Sequence, residues 1–90
     1  MEKNVKCLLL NVDTVLISEI VEIDAELGDP NCKLINPCLW KKRESTEEFY
    51  LEPWIEASNQ KELMIRSEDI LTIADPTLEV IEKYLELTAG

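Results

Sequence analysis

The sequence predicts a mainly β domain that ends in one α-helix, and three observations favour this fold class. Residues 5–74 hold five or six short runs of aliphatic and β-branched side chains, separated by polar or turn-forming residues. Residues 76–87 instead repeat apolar side chains at helical spacing. With 90 residues, the chain predicts a single domain, 1–90, with a small core. The strand spacing is typical of a small barrel or sandwich.

The first two strands are predicted to form a hairpin. The apolar run 5–11 leads into turn-forming residues at 11–13. The run 14–23 is rich in β-branched residues, and its apolar positions drift from one face to the other, which predicts a long, bent or strongly twisted strand. Residues 26–31 then form the clearest turn cluster of the chain.

Two prolines mark the middle strands. Residues 32–40 read as a third strand in which Pro37 removes one hydrogen-bond donor, so we expect an edge position or a bulge there. Residues 41–48 contain no apolar side chain and predict a polar loop. A fourth strand is expected at 49–55, where Pro53 again indicates an edge or a bend.

The last third of the chain changes from strand to helix. Two short strands are expected at 63–66 and 70–73, after a turn at 57–60. Asp75 is a favourable N-cap residue and Pro76 suits the first helical position. The apolar positions of the predicted helix are Leu78, Ile81, Tyr84 and Leu85, and Glu79 precedes Lys83 by four residues on the other face.

The balance of charge and residue types disfavours several functional classes. The chain has 19 acidic and nine basic residues, no histidine and a net charge of −10. Strong non-specific binding of nucleic acid is not expected, because it relies on Lys and Arg neutralising phosphates. Without histidine or a glycine-rich loop we expect no enzyme and no cofactor, and the paired acids predict surface groups.

The cysteines and the hydropathy predict a soluble chain without metal. Cys7, Cys32 and Cys38 form no CxxC pair and have no histidine to complete a ligand set, so we expect reduced, mostly buried thiols. No apolar run approaches the roughly 18 residues that span a bilayer. We therefore expect a cytoplasmic protein that does not contact a membrane.

The one basic cluster, Lys41, Lys42 and Arg43, directly follows Trp40. Such a loop could hold a phosphate backbone while a base stacks on the indole ring. A solvated hairpin tip beside a core tryptophan explains the same residues, and both interpretations stay open.

Two segments resemble the motifs of Sm and LSm proteins. Residues 65–73 are similar to the second Sm motif, with Arg66 at its basic position and Ser67 in place of its glycine. Upstream, five residues fall at the spacing of the first Sm motif: Ser18, Ile20, Asp24, Leu27 and Gly28. The asparagine of that motif is Gly28 here, although Asn31 is close by.

A closer resemblance covers nearly the whole chain. Residues 11–17, 34–37, 52–54 and 69–76 are similar to small Sm-like proteins of marine cyanophages and ocean metagenomes. This resemblance implies a strongly bent, five-stranded, SH3-like open barrel and a role in handling RNA or DNA. It also implies a homo-oligomeric ring of about five to seven subunits, closed by head-to-tail pairing of strand 49–55 with segment 70–73 of the next subunit.

Two functions follow from these expectations. The first is a ring that binds single-stranded RNA or DNA, with Arg66, Ser67, Asp24 and Asn31 at the pore and the basic cluster as an outlying phosphate contact. Glu68 and Asp69 share the turn of Arg66 and would orient or neutralise it. The second is a non-enzymatic structural or protein-interaction ring of phage origin, located in the host cytoplasm, whose acidic surface binds a basic partner and no nucleic acid.

Overall fold

A computed structural model of the chain describes residues 4–11, 13–55 and 57–89. The described part forms six strands and one helix: β1 (Val5–Asn11), β2 (Thr14–Glu22), β3 (Cys32–Lys42), β4 (Phe49–Pro53), β5 (Glu62–Ile65), β6 (Thr72–Ala74) and α1 (Leu78–Thr88). The mainly β class and the C-terminal helix are confirmed. The Sm-like resemblance implied five strands, whereas the described residues form six. Residue 12 of the predicted hairpin turn lies outside the described residues.

The six strands form one antiparallel sheet, in which five follow the order β4-β3-β2-β1-β6 and β5 pairs with β3 outside this path. The central strand β3 pairs with β2 along one side. Along its other side it pairs with β5 through residues 32–35 and with β4 through residues 38–42. β4 ends at Pro53, two residues before the predicted end, because proline cannot donate a ladder hydrogen bond.

The sheet is irregular where β2 faces Pro37. The register of β2 against β3 shifts between Ile17 and Glu19, so Ser18 lies opposite an extra length of β3. Asn36 takes a positive φ of 53° at this point. Pro37 is therefore at a bulge, as predicted, and not at an edge, because β3 is paired on both sides.

The hydroxyl of Tyr84 in α1 reaches into this bulge. It donates to the Ile35 carbonyl at 2.7 Å and accepts from the Glu19 amide at 3.2 Å. Ser18 adds a hydroxyl that donates to the carbonyl of Glu19 at 2.7 Å. Tyr84 and Ser18 are fully buried, and burial raises the pKa of Tyr84 to about 12. The helix thus supplies hydrogen bonds that the irregular ladder lacks.

Both faces of the sheet are buried. Under α1 the core consists of Val5, Ile17, Cys38, Leu51, Val80 and Tyr84. The opposite face buries Leu8, Leu16, Ile20, Cys32, Leu34 and Ile65. The three cysteines are free, two of them are buried and Cys7 is half-buried, and burial raises the pKa of each thiol. The prediction of mostly buried thiols is confirmed.

The start of α1 differs from the predicted one. Thr77 is the N-cap, and its hydroxyl accepts a hydrogen bond from the Val80 amide at 3.4 Å. Asp75 instead pairs with the Lys6 ammonium at 2.5 Å. That contact with β1 keeps Asp75 in the extended segment after β6, so Pro76 precedes the N-cap and the prediction of an Asp75 cap was wrong.

The buried face of α1 matches the predicted stripe only in part. Tyr84 of that stripe is buried, together with Val80, which was not part of it, whereas Leu78 is 71% exposed and Leu85 is 37% exposed. The 11 residues of α1 are too few to cross a membrane, and the described residues contain no other helix except a single 3-10 turn.

Candidate nucleic-acid interface

Asn31 and the turn after β5 lie side by side. Cys32 of β3 pairs with Ile65 of β5, so the residues that flank this pair are brought together. The side-chain oxygen of Asn31 accepts from the Ser67 amide at 2.8 Å, and its side-chain nitrogen donates to the Ser67 hydroxyl at 3.0 Å. Two of the predicted site residues, 36 positions apart, therefore hold each other in place.

The segment around Asp24 approaches the same place. The amide of Ile23 donates to the carbonyl of Asn31 at 3.0 Å, which closes the connection between β2 and β3. Asp24 follows directly and is exposed. We call Asp24, Asn31, Arg66, Ser67 and Asp69 the turn cluster.

Residues Ser67–Asp69 form a single 3-10 turn rather than the glycine turn of the Sm motif. The amide of Asp69 donates to the carbonyl of Arg66 at 3.0 Å, and the amide of Ile70 donates to that of Ser67 at 3.1 Å. Ser67 does not take a positive φ. Serine is accommodated here because a 3-10 turn needs only ordinary negative φ angles.

Arg66 forms an ion pair within its own turn. Its Nε lies 3.2 Å from Oδ2 of Asp69, and both side chains are about half exposed. The expectation that an acid of this turn orients or neutralises Arg66 is confirmed for Asp69. A guanidinium carries five N–H donors, so one contact at Nε leaves the outer nitrogens available for an anion.

The basic cluster is far from the turn cluster. Lys41 and Lys42 end β3, whereas Asn31 precedes its first residue. At about 3.3 Å per residue the 11 residues of β3 separate the two by up to about 35 Å. The structure does not combine the predicted residues into one surface.

Side chains of β4 contact two residues of the basic cluster. Lys41 pairs with Glu52 at 3.3 Å, and the guanidinium of Arg43 lies 5.0 Å from the ring centre of Tyr50. Trp40 is half-buried and stacks on Phe49 with ring centres 6.3 Å apart. The tryptophan packs against the core under α1, which favours the interpretation as a hairpin tip beside a core residue.

The two predicted ring-forming segments lie at opposite edges of the sheet. β4 is the last strand on one side and β6 the last on the other. All three residues of β6 are exposed, and Leu71 and Ile73 are 64% and 51% exposed. Within the described residues, no strand pairs with the outer side of β4 or β6.

The sequence did not predict a groove of about 390 Å³ beside β4. Trp54, Leu63 and Leu87 contribute apolar walls, and Asn36 and Asn59 contribute amides. No sequence signal marks it, because its walls come from four segments that only the fold brings together.

A family of unknown function, DUF6561, matches residues 3–89 of the chain. None of the curated proteins matches the chain.

Proposed function

The chain belongs to the DUF6561 family, and we propose that it is a ring-forming, Sm-like protein that binds single-stranded RNA through its turn cluster. The observation that carries the proposal is the pairing of Asn31 with Ser67. It joins the end of the first Sm-like segment to the basic turn of the second. One exposed cation, two carboxylates and a hydrogen-bonded pair of an amide and a hydroxyl then share one end of the sheet.

Arg66 would bind the phosphate backbone in this proposal. Its guanidinium is exposed, and charge-assisted bonds from arginine to phosphate are strong and geometrically specific. Asp69 orients the guanidinium and also lowers the local positive charge. Asn31 acts as a positioning residue, since its amide is bonded to Ser67, and Asp24 offers an acceptor for a ribose hydroxyl or a base amine.

Pairing of edge strands between subunits would bring several copies of this weak site together. β4 and β6 lie at opposite edges, which suits head-to-tail pairing between subunits. A strongly bent, barrel-like sheet of the Sm type closes such a chain of subunits into a ring. About five to seven copies of Arg66 around an opening would give avidity that one site lacks.

A second candidate function is a scaffold ring that binds a basic protein and no nucleic acid. The Arg66–Asp69 ion pair and the net charge of −10 favour it. If Asp69 neutralised Arg66 fully, the turn would no longer attract a phosphate. Nucleic acid would then bind weakly, since phosphate contacts dominate its affinity.

Fluorescence anisotropy with labelled oligo-U and oligo-A separates the two functions. We expect binding that weakens with salt, falls about tenfold in Arg66→Ala and rises in Asp69→Asn, which frees the guanidinium. Lys61→Ala is the control, because it removes the same charge from an exposed loop position. If neither the wild type nor Asp69→Asn binds at low salt, the nucleic-acid function is wrong.

The ring has its own test in solution. Native mass spectrometry and light scattering should report a closed oligomer of about five to seven chains. Ile73→Lys in β6 adds a charge to the exposed edge and should dissociate it. A wild-type monomer at micromolar concentration would contradict both candidate functions.

A further inference from the structure

One side of α1 presents apolar side chains to solvent. Leu78, Ile81 and Leu85 occupy helix positions i, i+3 and i+7, which form one stripe along two turns. Leu78 is 71% exposed, Leu85 is 37% exposed and Ile81 is half-buried. We call these three residues the leucine stripe. The helix meets the sheet through Val80 and Tyr84, so the fold does not use the stripe as core.

Glutamates border the leucine stripe on the side away from the sheet. Glu79, Glu82 and Glu86 follow one another along α1 and form one wall of a groove of about 850 Å³. Glu47 and Glu48 from the β3–β4 connection form its other wall, so five carboxylates line the groove, against Lys83 as the one lysine or arginine among its described residues.

Two of the three basic residues of the β3–β4 hairpin do not neutralise this groove. Lys41 and Arg43 are engaged by Glu52 and Tyr50. In an alternating strand these partners face away from Leu51, which packs in the core under α1. Lys42 alternates with Lys41 and pairs with Phe49, which lines the groove, so it adds a positive charge beside that of Lys83. Five carboxylates against these two cations keep the groove negative.

We propose that α1 docks a basic amphipathic helix, a lysine- and arginine-rich protein segment with apolar residues at helical spacing. The stripe covers about 10 Å along the helix axis, which matches two turns of a partner helix. The bordering carboxylates favour a positively charged partner. A second copy of this chain would bring the same glutamates, and like charges across a contact disfavour it. This docking surface does not depend on the turn cluster or on Arg66.

The test uses a synthetic 18-residue peptide with leucines at helical spacing and lysines elsewhere, labelled for anisotropy. A scrambled peptide of equal composition, which lacks the apolar stripe, is the control for charge alone. We expect the amphipathic peptide to bind about tenfold more tightly than the scrambled one, and the affinity to weaken with added salt.

Protein variants localise the contact. Leu78→Ser with Leu85→Ser should weaken binding about tenfold, and Glu82→Gln with Glu86→Gln about fivefold. Both pairs change exposed positions, and circular dichroism with urea unfolding verifies their fold. The matched control Glu22→Gln with Glu26→Gln removes the same charge at the far end of β2 and should leave binding within about twofold.

Four outcomes would overturn the proposal. Equal affinity for the scrambled peptide, or equal loss in the Glu22 and Glu26 control, would mean unspecific attraction to an acidic protein. Unchanged binding after the two leucine substitutions would exclude the stripe. A drop in oligomer mass in the leucine variant without peptide would make the occupant a second copy of the chain. If the chain did not bind oligonucleotides, the peptide-binding result would still stand, because the two assays test different residues.

Discussion

The bulge beneath α1 and the turn cluster each join distant segments through side-chain hydrogen bonds to the backbone. At the bulge, Tyr84 and Ser18 are fully buried and bond to backbone groups of β2 and β3. In the turn cluster, Asn31 bonds to the backbone of Ser67 in an exposed position. Water can replace the hydrogen bonds of the turn cluster but cannot reach those of the bulge. The same kind of hydrogen bond therefore contributes more to stability at the bulge than in the turn cluster.

Removal of the Tyr84 hydroxyl should have the largest effect. Phenylalanine keeps the ring in place but deletes the group that bridges Glu19 and Ile35, so Tyr84→Phe should lower the free energy of unfolding by about 1–3 kcal/mol. Urea unfolding followed by circular dichroism measures it. Tyr50→Phe, at a half-buried position, is the control and should change stability by less than about 0.5 kcal/mol. Equal stability of the two variants would contradict the bridging role.

The pH dependence of stability should be the second largest effect. The pKa of Tyr84 is about 12 in the folded chain and about 10 in the unfolded chain. Between these values the unfolded state has released the proton and the folded state has not, so stability falls as pH rises. At pH 11 this group alone should cost about 1 kcal/mol relative to pH 9.

The same unfolding series on Tyr84→Phe isolates this contribution. All other ionisable groups are common to the two proteins, so the difference between the two stability curves should shrink by about 1 kcal/mol from pH 9 to pH 11. Parallel curves would show that burial does not hold the proton on Tyr84.

Asn31→Ala should have the smallest effect on stability. It removes two hydrogen bonds to Ser67, and an exposed network of this kind contributes about 0.5–1 kcal/mol. Asn59→Ala, at an exposed loop position, is the control. A loss as large as that of Tyr84→Phe would mean that the turn cluster is part of the core. Weaker oligo-U binding with almost unchanged stability would fit a positioning role for Asn31.

Local patterns in the sequence predicted most of the elements. Runs of β-branched residues marked the strands, and Pro37 was expected at an edge or a bulge because a missing donor disrupts any ladder. The structure places it at a bulge. The turn at 26–31 is present, with Gly28 at a φ of 92°, a conformation that favours glycine. Asn31 and Ser67, which the sequence assigned to one site, are hydrogen-bonded to each other, although Asn31 lies three residues after the motif position at Gly28.

The predictions that failed depended on residues far apart in the chain. Asp75 is a good N-cap by type, but a contact with Lys6 on β1 holds it before the helix, and Thr77 caps instead. Leu78 and Leu85 have the helical spacing of core residues, yet of the predicted stripe only Tyr84 is fully buried, and Val80 packs beside it.

Composition, periodicity and turn chemistry by themselves determined the mainly β class, the single terminal helix, an irregular ladder at Pro37 and the acidic character of the chain. These signals are local, because each depends on backbone preferences over a few residues. Only the tertiary structure decided which face of α1 is buried, that Pro37 lies at a bulge and not at an edge, and that the basic cluster lies at the other end of β3. Strand register and helix rotation set these features, and both are selected by the packing of the whole core.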